Sequence, residues 1–384
     1  NNTTYYYRIT AVDTSDNESG YSNEVNDQPR LVAGDYYVSN VGNDFTGDGS
    51  VNNPFRHIQW AVNAASSGNT IVVFPGDYDE NITITSKDLT IIGDDELNPK
   101  TIDGQNIGIG IEVDDVNYLN IQDLTITNAT DGVNAANCTS LILNKMKIHN
   151  NSSGLYAQYS NVSIDSSHIY LNTNDAVKIM NSDSATVKNS SFNNNGTCFN
   201  ADNIHLKLID VTIDGGGTGA AIVFFSNQTD DLTLQRVNIS NYSTNSGLIN
   251  ISTSDTNSVV TVTNCRFTGN SIAQTGSCIY DNGTSTITIT GTRFNNNSAS
   301  SNGAAALYIA GNSTSNVSIT DSYFIGNTGN TSYGSTIRTQ SDISITDCVF
   351  LNNDDNVFGG TNQWSSSANI TVLNSIFWQN TLMY

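Results

Sequence analysis

The chain has 384 residues, with 14 Lys and Arg against 36 Asp and Glu and a formal net charge of −22 at pH 7. This balance argues against binding to nucleic acid or to an anionic membrane surface, because both require a basic protein face. The sequence has no apolar run of about 18 residues, so no membrane span is predicted. Asn, Ser, Thr, Asp and Gly dominate the composition, which favours strands and turns over helices.

Residues 1–26 differ from the rest of the chain. Residues 5–13 alternate as a strand, and residues 21–25 form a second short strand after a polar turn. The segments Tyr-Tyr-Tyr-Arg-Ile-Thr-Ala-Val-Asp and Tyr-Ser-Asn-Glu-Val resemble the last hairpin of a fibronectin type III domain. The resemblance implies a C-terminal hairpin over 1–26, followed by a linker over 27–34. Two strands are marginally stable alone, so we expect them to belong to a longer protein or to pair with another chain.

Residues 35–78 contain the one predicted helix. Pro54 suits a helix start, and Ile58, Ala61, Val62 and Ala65 follow at helical spacing, which predicts a short amphipathic helix over about 54–66. The whole stretch resembles the entry module of secreted right-handed parallel β-helix proteins, which include pectate-lyase-like enzymes. The resemblance implies that the helix caps the first coil of a solenoid and that the protein is extracellular.

From residue 89 onward one sequence motif repeats: two apolar residues that flank a polar one, then a small residue, then Phe or Ile, then Asn. Clear copies occupy residues 260–270, 287–297 and 343–353. The repeat length is about 22 residues and lengthens to about 26–30 in the C-terminal half, a period that indicates stacked coils. The sequence therefore predicts an all-β, right-handed parallel β-helix solenoid of about 12 coils over residues 35–384.

Aligning the copies produces columns of equivalent residues. One column is apolar and predicts an interior stack: Ile126, Ile148, Ile169, Phe192, Ile213, Ile239, Phe267, Phe294, Phe324, Phe350 and Phe377. Another lies at a turn and resembles the asparagine ladder of parallel β-helices: Asn151, Asn172, Asn195, Asn270, Asn297, Asn327, Asn353 and Asn380. Gly216 and Tyr242 interrupt the second column.

The C-terminal copies, with Phe-x-x-Asn and the small-residue segment 303–306, also resemble repeats of bacterial surface adhesins of the polymorphic membrane protein type. This resemblance implies an extracellular structural or adhesive protein of a cell surface or filament. No capping element is visible after Asn380, so we expect more coils, another domain or another subunit to cover that end. The two ends could also join copies of the chain by end-to-end stacking or strand donation. Under this hypothesis the protein is not an enzyme.

The alternative hypothesis rests on a cluster of charge on the outer surface: Lys145, Lys147, Asp165, His168 and Lys188. The alignment places Lys147 beside His168, and Asp165 beside Lys188. Such a cluster would suit a polysaccharide lyase or carbohydrate-binding β-helix acting on acidic glycans, with Lys or His abstracting a proton and Asp165 holding Ca²⁺. A purely structural interpretation is also open, in which mixed charges pair along one edge: Asp123, Lys145, Asp210 and Arg236.

Two further carboxylates are candidates for a metal site. Asp44 and Asp48 lie in a Gly-rich turn and would suit Ca²⁺, the only cofactor that the sequence suggests. The same residues are also typical turn formers.

Overall fold

The fold is described from a computed structural model. It describes residues 5–7, 10, 19, 25–27, 32–94, 98–216, 219–273, 276–300, 303–310, 315–329, 336–354, 357–359 and 368–380.

The chain divides into two compact units, Asn1–Gly34 and Asp35–Tyr384. In the first, strands Tyr5–Tyr7 and Val25–Asp27 pair antiparallel, with Tyr5 opposite Asp27. The remainder of the predicted hairpin lies outside the described residues, and the resemblance to a fibronectin type III domain stays a prediction.

The second unit is a right-handed parallel β-helix, which confirms the predicted fold class. Its strands stack in parallel on three faces, which we call A, B and C. Face A contains Ile82–Thr85, the first parts of Ile111–Gln122 and Asp131–Asn144, Ser153–Gln158, Asp175–Met180, Thr197–Asp202, Ile222–Ser226, Ile249–Thr253, Ile279–Asp281, Leu307–Ile309, Ile337–Thr339 and Phe358–Gly359. Face B contains Tyr36–Val38, Thr70–Val73, Leu89–Gly93, the second parts of Ile111–Gln122 and Asp131–Asn144, Val162–Asp165, Ser184–Lys188, His205–Ile209, Leu232–Gln235, Val259–Thr263, Thr286–Thr290, Asn316–Thr320, Ile343–Thr346 and Ile370–Leu373.

Face C is a sheet of thirteen short strands, against the twelve or so coils that the alignment predicts. They are Gly76–Asp79, Lys100–Asp103, Thr125–Thr127, Lys147–His149, His168–Tyr170, Ser191–Asn193, Thr212–Asp214, Asn238–Ser240, Arg266–Thr268, Arg293–Asn295, Tyr323–Ile325, Val349–Leu351 and Ile376–Trp378. Three two-residue strands form a separate small sheet: Ser243–Thr244, Ser271–Ile272 and Ser298–Ala299.

The three-residue strands of face C expose two residues and bury one, because side chains alternate across a strand. The buried residue of each strand from residue 126 onward belongs to the predicted apolar column, which is fully buried as far as Phe350. From Phe267 to Phe377 the rings stack nearly parallel, with centroids 4.6–5.0 Å apart. The predicted interior stack is therefore present, and it fixes which residues of face C point outward.

The predicted asparagine ladder is also present. Asn151 Nδ2 donates to Asn172 Oδ1 at 3.2 Å, and Asn172 Nδ2 donates to Asn195 Oδ1 at 3.0 Å. A second run continues in the same way from Asn270 to Asn380. Between the runs, the buried ring of Tyr242 occupies the space where Gly216 has no side chain, and a Cβ at Gly216 would lie 2.1 Å from it.

The predicted helix spans Ile58–Ala64, shorter than the expected 54–66, and buries Ile58, Ala61 and Val62. It begins at Ile58 because the Glu80 carboxylate accepts hydrogen bonds from the backbone N–H of Ile58 at 2.7 Å and of Gln59 at 3.0 Å. These are two of the amides that a helix start leaves without an internal partner. In the described part of the chain, no helix is long and apolar enough to cross a membrane.

Candidate functional site

The centre of the candidate site is on face C, where two predicted residues are adjacent. Lys147 pairs in register with His168 on the next strand, and with Thr125 on the strand before. Lys147 is exposed, and His168 is half-buried. Both side chains point outward, because Ile148 and Ile169 occupy the buried positions of their strands. The strand register thus gives the juxtaposition that the repeat alignment predicts.

Three rings stack beside Lys147, and we call them the aromatic platform: His149, His168 and Tyr170. The Tyr170 ring lies 4.2 Å from the His168 ring and 4.6 Å from the His149 ring, centroid to centroid, in stacked orientations. All three side chains are half-buried and leave part of their surface open to solvent. A stacked platform of this kind suits contact with the C–H face of a sugar ring.

The pKa values of the two imidazoles lie below the ordinary value of 6.5, which favours their neutral forms at pH 7. Partial burial lowers the pKa of His149 from its ordinary value of 6.5, and the positive charges of His168 and Lys147 lower it further. Burial also lowers the pKa of His168, with a hydrogen bond to Asn193 opposing the shift and Lys147 reinforcing it. Neutral imidazoles can accept protons or hydrogen bonds, so the lasting positive charge beside the platform is that of Lys147.

The lowered pKa values predict that acid destabilises the protein through this pair. Below about pH 6.5 the unfolded chain binds more protons at these histidines than the folded chain does. Their contribution to stability is present above the unfolded pKa and is lost as the pH falls through the folded pKa. We expect the double variant His149→Gln/His168→Gln to lose less stability than the wild type between pH 7 and pH 5, measured by urea unfolding. An unchanged pH dependence would contradict the assignment.

A cavity of about 190 Å³ adjoins the platform, and we call it the lysine cavity. Its lining is Asn98, Pro99, Lys100, Asp123, Leu124, Thr125, Lys145 and Lys147. Lys100 is only 2% exposed, and its Nζ donates to Asp123 Oδ2 at 2.7 Å. Three lysines and one aspartate therefore line this cavity in a chain whose net charge is −22.

The other two predicted residues, Asp165 and Lys188, lie on face B. Asp165 pairs in register with Lys188. The Asp165 carboxylate, however, accepts hydrogen bonds from Ser166 Oγ and Asn189 Nδ2, each at 2.9 Å. Lys188 lines a second, more open cavity of about 260 Å³ together with Ser163 and Thr186. The structure thus places Lys147 and His168 on face C and Asp165 and Lys188 on face B. Lys145 lies at the turn between the two faces, where its backbone N–H donates to Asp165 O at 3.0 Å.

The structural interpretation of the charged edge holds in part. Arg236 and Asp210 form a bidentate ion pair: Arg236 Nε and Nη2 each donate to one Asp210 carboxylate oxygen at 2.6 Å. Asp123, by contrast, pairs with Lys100, which is not one of the four residues of that edge. Charge pairing therefore accounts for Arg236 and Asp210, and it engages Asp123 with Lys100 of the lysine cavity.

Asp44 and Asp48 are both engaged by the turn in which they lie. Asp44 Oδ1 accepts from the backbone N–H of Arg56 at 2.8 Å, and Oδ2 lies 2.5 Å from His57 Nδ1. Asp48 Oδ1 accepts from the backbone N–H of Ser50 at 2.9 Å. Across the described residues, no group of three or more His, Cys, Asp and Glu side chains is arranged to hold a metal ion. The suggested Ca²⁺ stays a prediction.

Sequence reasoning missed Lys100 and Tyr170 as parts of the site. Lys100 precedes Ile102, which is eleven positions after Ile91 where the repeat predicts five, so residues 94–99 are an insertion that displaces it from the alignment. Tyr170 occupies an outward position in the column of His149, which the register makes visible. An alignment gapped at residues 94–99 would have placed Lys100 next to the cluster.

Comparison with known proteins supports the fold. The family model described as a right handed beta helix region matches residues 109–259. The catalytic domain of the D1045A variant of a GH87 α-1,3-glucanase, in complex with nigerose, superposes with a TM-score of 0.58 at 11% identity, over 92% of this chain and 72% of that one. Tailspike protein 3 of bacteriophage CBA120 gives 0.50 at 12% identity, over 97% and 65%. An alginate lyase from a Paenibacillus species gives 0.47 at 17% identity, over 67% and 95%.

Solved structures similar to this chain thus include polysaccharide lyases, glycoside hydrolases and a tailspike. At these identities the likeness shows the fold alone. No curated protein matches the sequence.

Proposed function

We propose that this protein binds acidic polysaccharides, with the lysine cavity receiving a carboxylate and the aromatic platform receiving a sugar ring. The observation that carries the proposal is the concentration of Lys100, Lys145 and Lys147 around one cavity in a strongly acidic chain. The fold is shared with a glucanase that holds nigerose, which is a precedent for glycan binding on this scaffold.

The proposal explains why the charge is local. A polyanion is repelled by most of a surface with net charge −22, so a binding site needs a cationic patch with aromatic contact area beside it. Lys147 provides an exposed ammonium next to His168 and Tyr170. A uronate carboxylate paired with that ammonium would place its sugar ring over the platform.

The same geometry has the two groups that a lyase reaction requires. Lys147 would neutralise the carboxylate of a uronate and so acidify the neighbouring C–H. The neutral imidazole of His168 would accept that proton, while the C–H electron pair forms the C=C bond and the glycosidic oxygen leaves and is protonated by water. Release of unsaturated uronates by the wild type, abolished in His168→Gln, is the expected result if the site is catalytic. Binding without product would limit the function to recognition.

Binding is tested with polyuronates of defined composition, such as polygalacturonate and alginate, and with neutral glucans for comparison. We expect Lys147→Gln to weaken polyuronate binding about tenfold or more, because a hydrogen bond to a charged group contributes about 1.5–3 kcal/mol. Calorimetric titration measures the change.

Lys207→Gln is the matched control. It removes one exposed lysine from face B and should leave the affinity unchanged. Failure of the wild type to bind any polyuronate, or equal affinity of Lys147→Gln and wild type, would overturn the proposal.

The extracellular location and the adhesive or filament-forming role stay predictions. Sedimentation of the chain over a range of concentrations tests self-association. A surface protein could both bind glycans and associate with itself. The titration and the sedimentation experiment therefore test the two roles independently.

A further inference from the structure

The outward residues of face C form two columns, and one of them is almost free of acidic residues. We call it the basic column: Thr101, Thr125, Lys147, His168, Ser191, Thr212, Asn238, Arg266, Arg293 and Tyr323. On the first strand of face C, the position in register with Thr101 is occupied by the acidic residue Asp77. In a chain with 36 acidic and 14 basic residues, a run of ten such positions from Thr101 to Tyr323 that carries Lys and Arg but no Asp or Glu marks a distinct surface.

The basic residues of the column fall into two pairs. Lys147 and His168 are neighbours at one end, and Arg266 and Arg293 are neighbours at the other. Five strand steps separate Lys147 from Arg266. At about 4.8 Å per step, this separation is about 24 Å along the solenoid.

Both ends combine a cation with an exposed aromatic ring. At the first, Lys147 lies beside the aromatic platform. At the second, the Arg293 guanidinium lies over the Tyr323 ring, 5.3 Å from its centroid, and Tyr323 is 41% exposed. The two ends therefore present the same chemistry at two places on one face.

Among the described residues, the cations of the column have no ion-pair partner. Arg266 and Arg293 are exposed, like Lys147. Within the described residues, the ion pairs involve other cations, and no carboxylate lies within 4.0 Å of Lys147, Arg266 or Arg293. Like-charged neighbours on adjacent strands destabilise a sheet, so Arg266 beside Arg293 is a feature that stability alone does not favour.

Short polar side chains connect the two ends. Ser191, Thr212 and Asn238 fill the intervening positions and offer hydroxyl and amide groups without charge. None of them is bulky enough to interrupt a ligand lying along the column, and each can hydrogen-bond to a sugar hydroxyl.

We infer that face C binds one polyanionic glycan chain lying along the solenoid axis, with one anionic subsite at Lys147 and His168 and a second at Arg266 and Arg293. The inference rests on the proposed function and adds the direction of the ligand, its minimum length and a second subsite. A chain that spans both subsites binds the second one as an intramolecular event, so its affinity exceeds that of a short oligomer without any change in the first subsite.

The test compares a uronate trisaccharide with a uronate dodecasaccharide by calorimetric titration. We expect the dodecasaccharide to bind at least about tenfold more tightly, which is a modest gain for two linked subsites. In Arg266→Gln/Arg293→Gln, the affinity for the dodecasaccharide should fall to near that for the trisaccharide, while the affinity for the trisaccharide stays at the wild-type value. Lys147→Gln should weaken binding of both.

The double variant Lys178→Gln/Lys207→Gln controls for net charge, because it removes two cations from faces A and B. It should leave both affinities near wild type. Equal affinities of the two oligomers for the wild type, or an unchanged dodecasaccharide affinity in Arg266→Gln/Arg293→Gln, would overturn the second subsite and leave the proposed function standing. Binding of neither oligomer would overturn both.

Discussion

Phe324→Ala is expected to lower the free energy of unfolding by about 3–5 kcal/mol, the range for removing a buried phenyl ring. Phe324 is fully buried and lies between two parallel rings, 5.0 Å from Phe294 and 4.6 Å from Phe350. The neighbouring coils hold both rings in place, so the space cannot collapse, and the loss should fall in the upper part of the range. The shift of the urea unfolding midpoint measures the effect.

Tyr323→Ala is the matched control, because it removes an aromatic ring from the outward position next to Phe324. Its effect should stay below about 1 kcal/mol, as is usual for surface substitutions. Similar losses in the two variants would show that the stack contributes little beyond surface packing.

Asn297→Ala should lower the free energy of unfolding by about 3 kcal/mol or more. The Asn297 side chain donates to Phe267 O at 2.9 Å and to Asn327 Oδ1 at 3.1 Å, and it accepts from Asn270 Nδ2 at 2.9 Å. Removing it leaves several buried polar groups without partners, at about 1–3 kcal/mol each. The unfolding midpoint is again the measurement.

Asn238→Ala removes an exposed asparagine from face C and serves as the control. It should change the stability by no more than about 0.5 kcal/mol. Asn297→Asp adds a second comparison: it keeps the shape but loses the amide donor, so it should also be destabilising. A tolerated Asn297→Ala would contradict a stabilising role for the ladder.

The repeat alone predicts most of the fold, because each coil places equivalent residues in equivalent positions. The apolar column and the ladder asparagines could be assigned from spacing, since the alternation of a strand determines which side chains point inward. The start of the helix could not be assigned. It depends on Glu80, which lies 22 residues after Ile58 and meets it only when the first coil closes.

The candidate site was predictable where it follows the repeat and hidden where it does not. Lys147 and His168 occupy equivalent repeat positions, so the alignment brings them together. Lys100 follows a six-residue insertion in the repeat, so its pairing with Asp123 at 2.7 Å could not be assigned from the spacing. Arg266 and Arg293 occupy the same repeat position as Lys147. Their relation to Lys147 could not be predicted from a local pattern, because it depends on the order of the strands along the whole of face C.

We expect the break in the asparagine ladder to divide the solenoid into two segments that unfold separately. The ladder amides connect the coils from Asn151 to Asn195 and again from Asn270 to Asn380. Between the coils of Gly216 and Tyr242 the buried ladder is interrupted, and the amide contact there is an exposed one, from Asn241 Nδ2 to Asp214 Oδ1 at 2.8 Å. A solenoid is stabilised by contacts between neighbouring coils only, so its weakest interface is where unfolding separates one part from the other. The two halves of face C would then lose their order at different denaturant concentrations, with the boundary between the lysine cavity and the arginine pair.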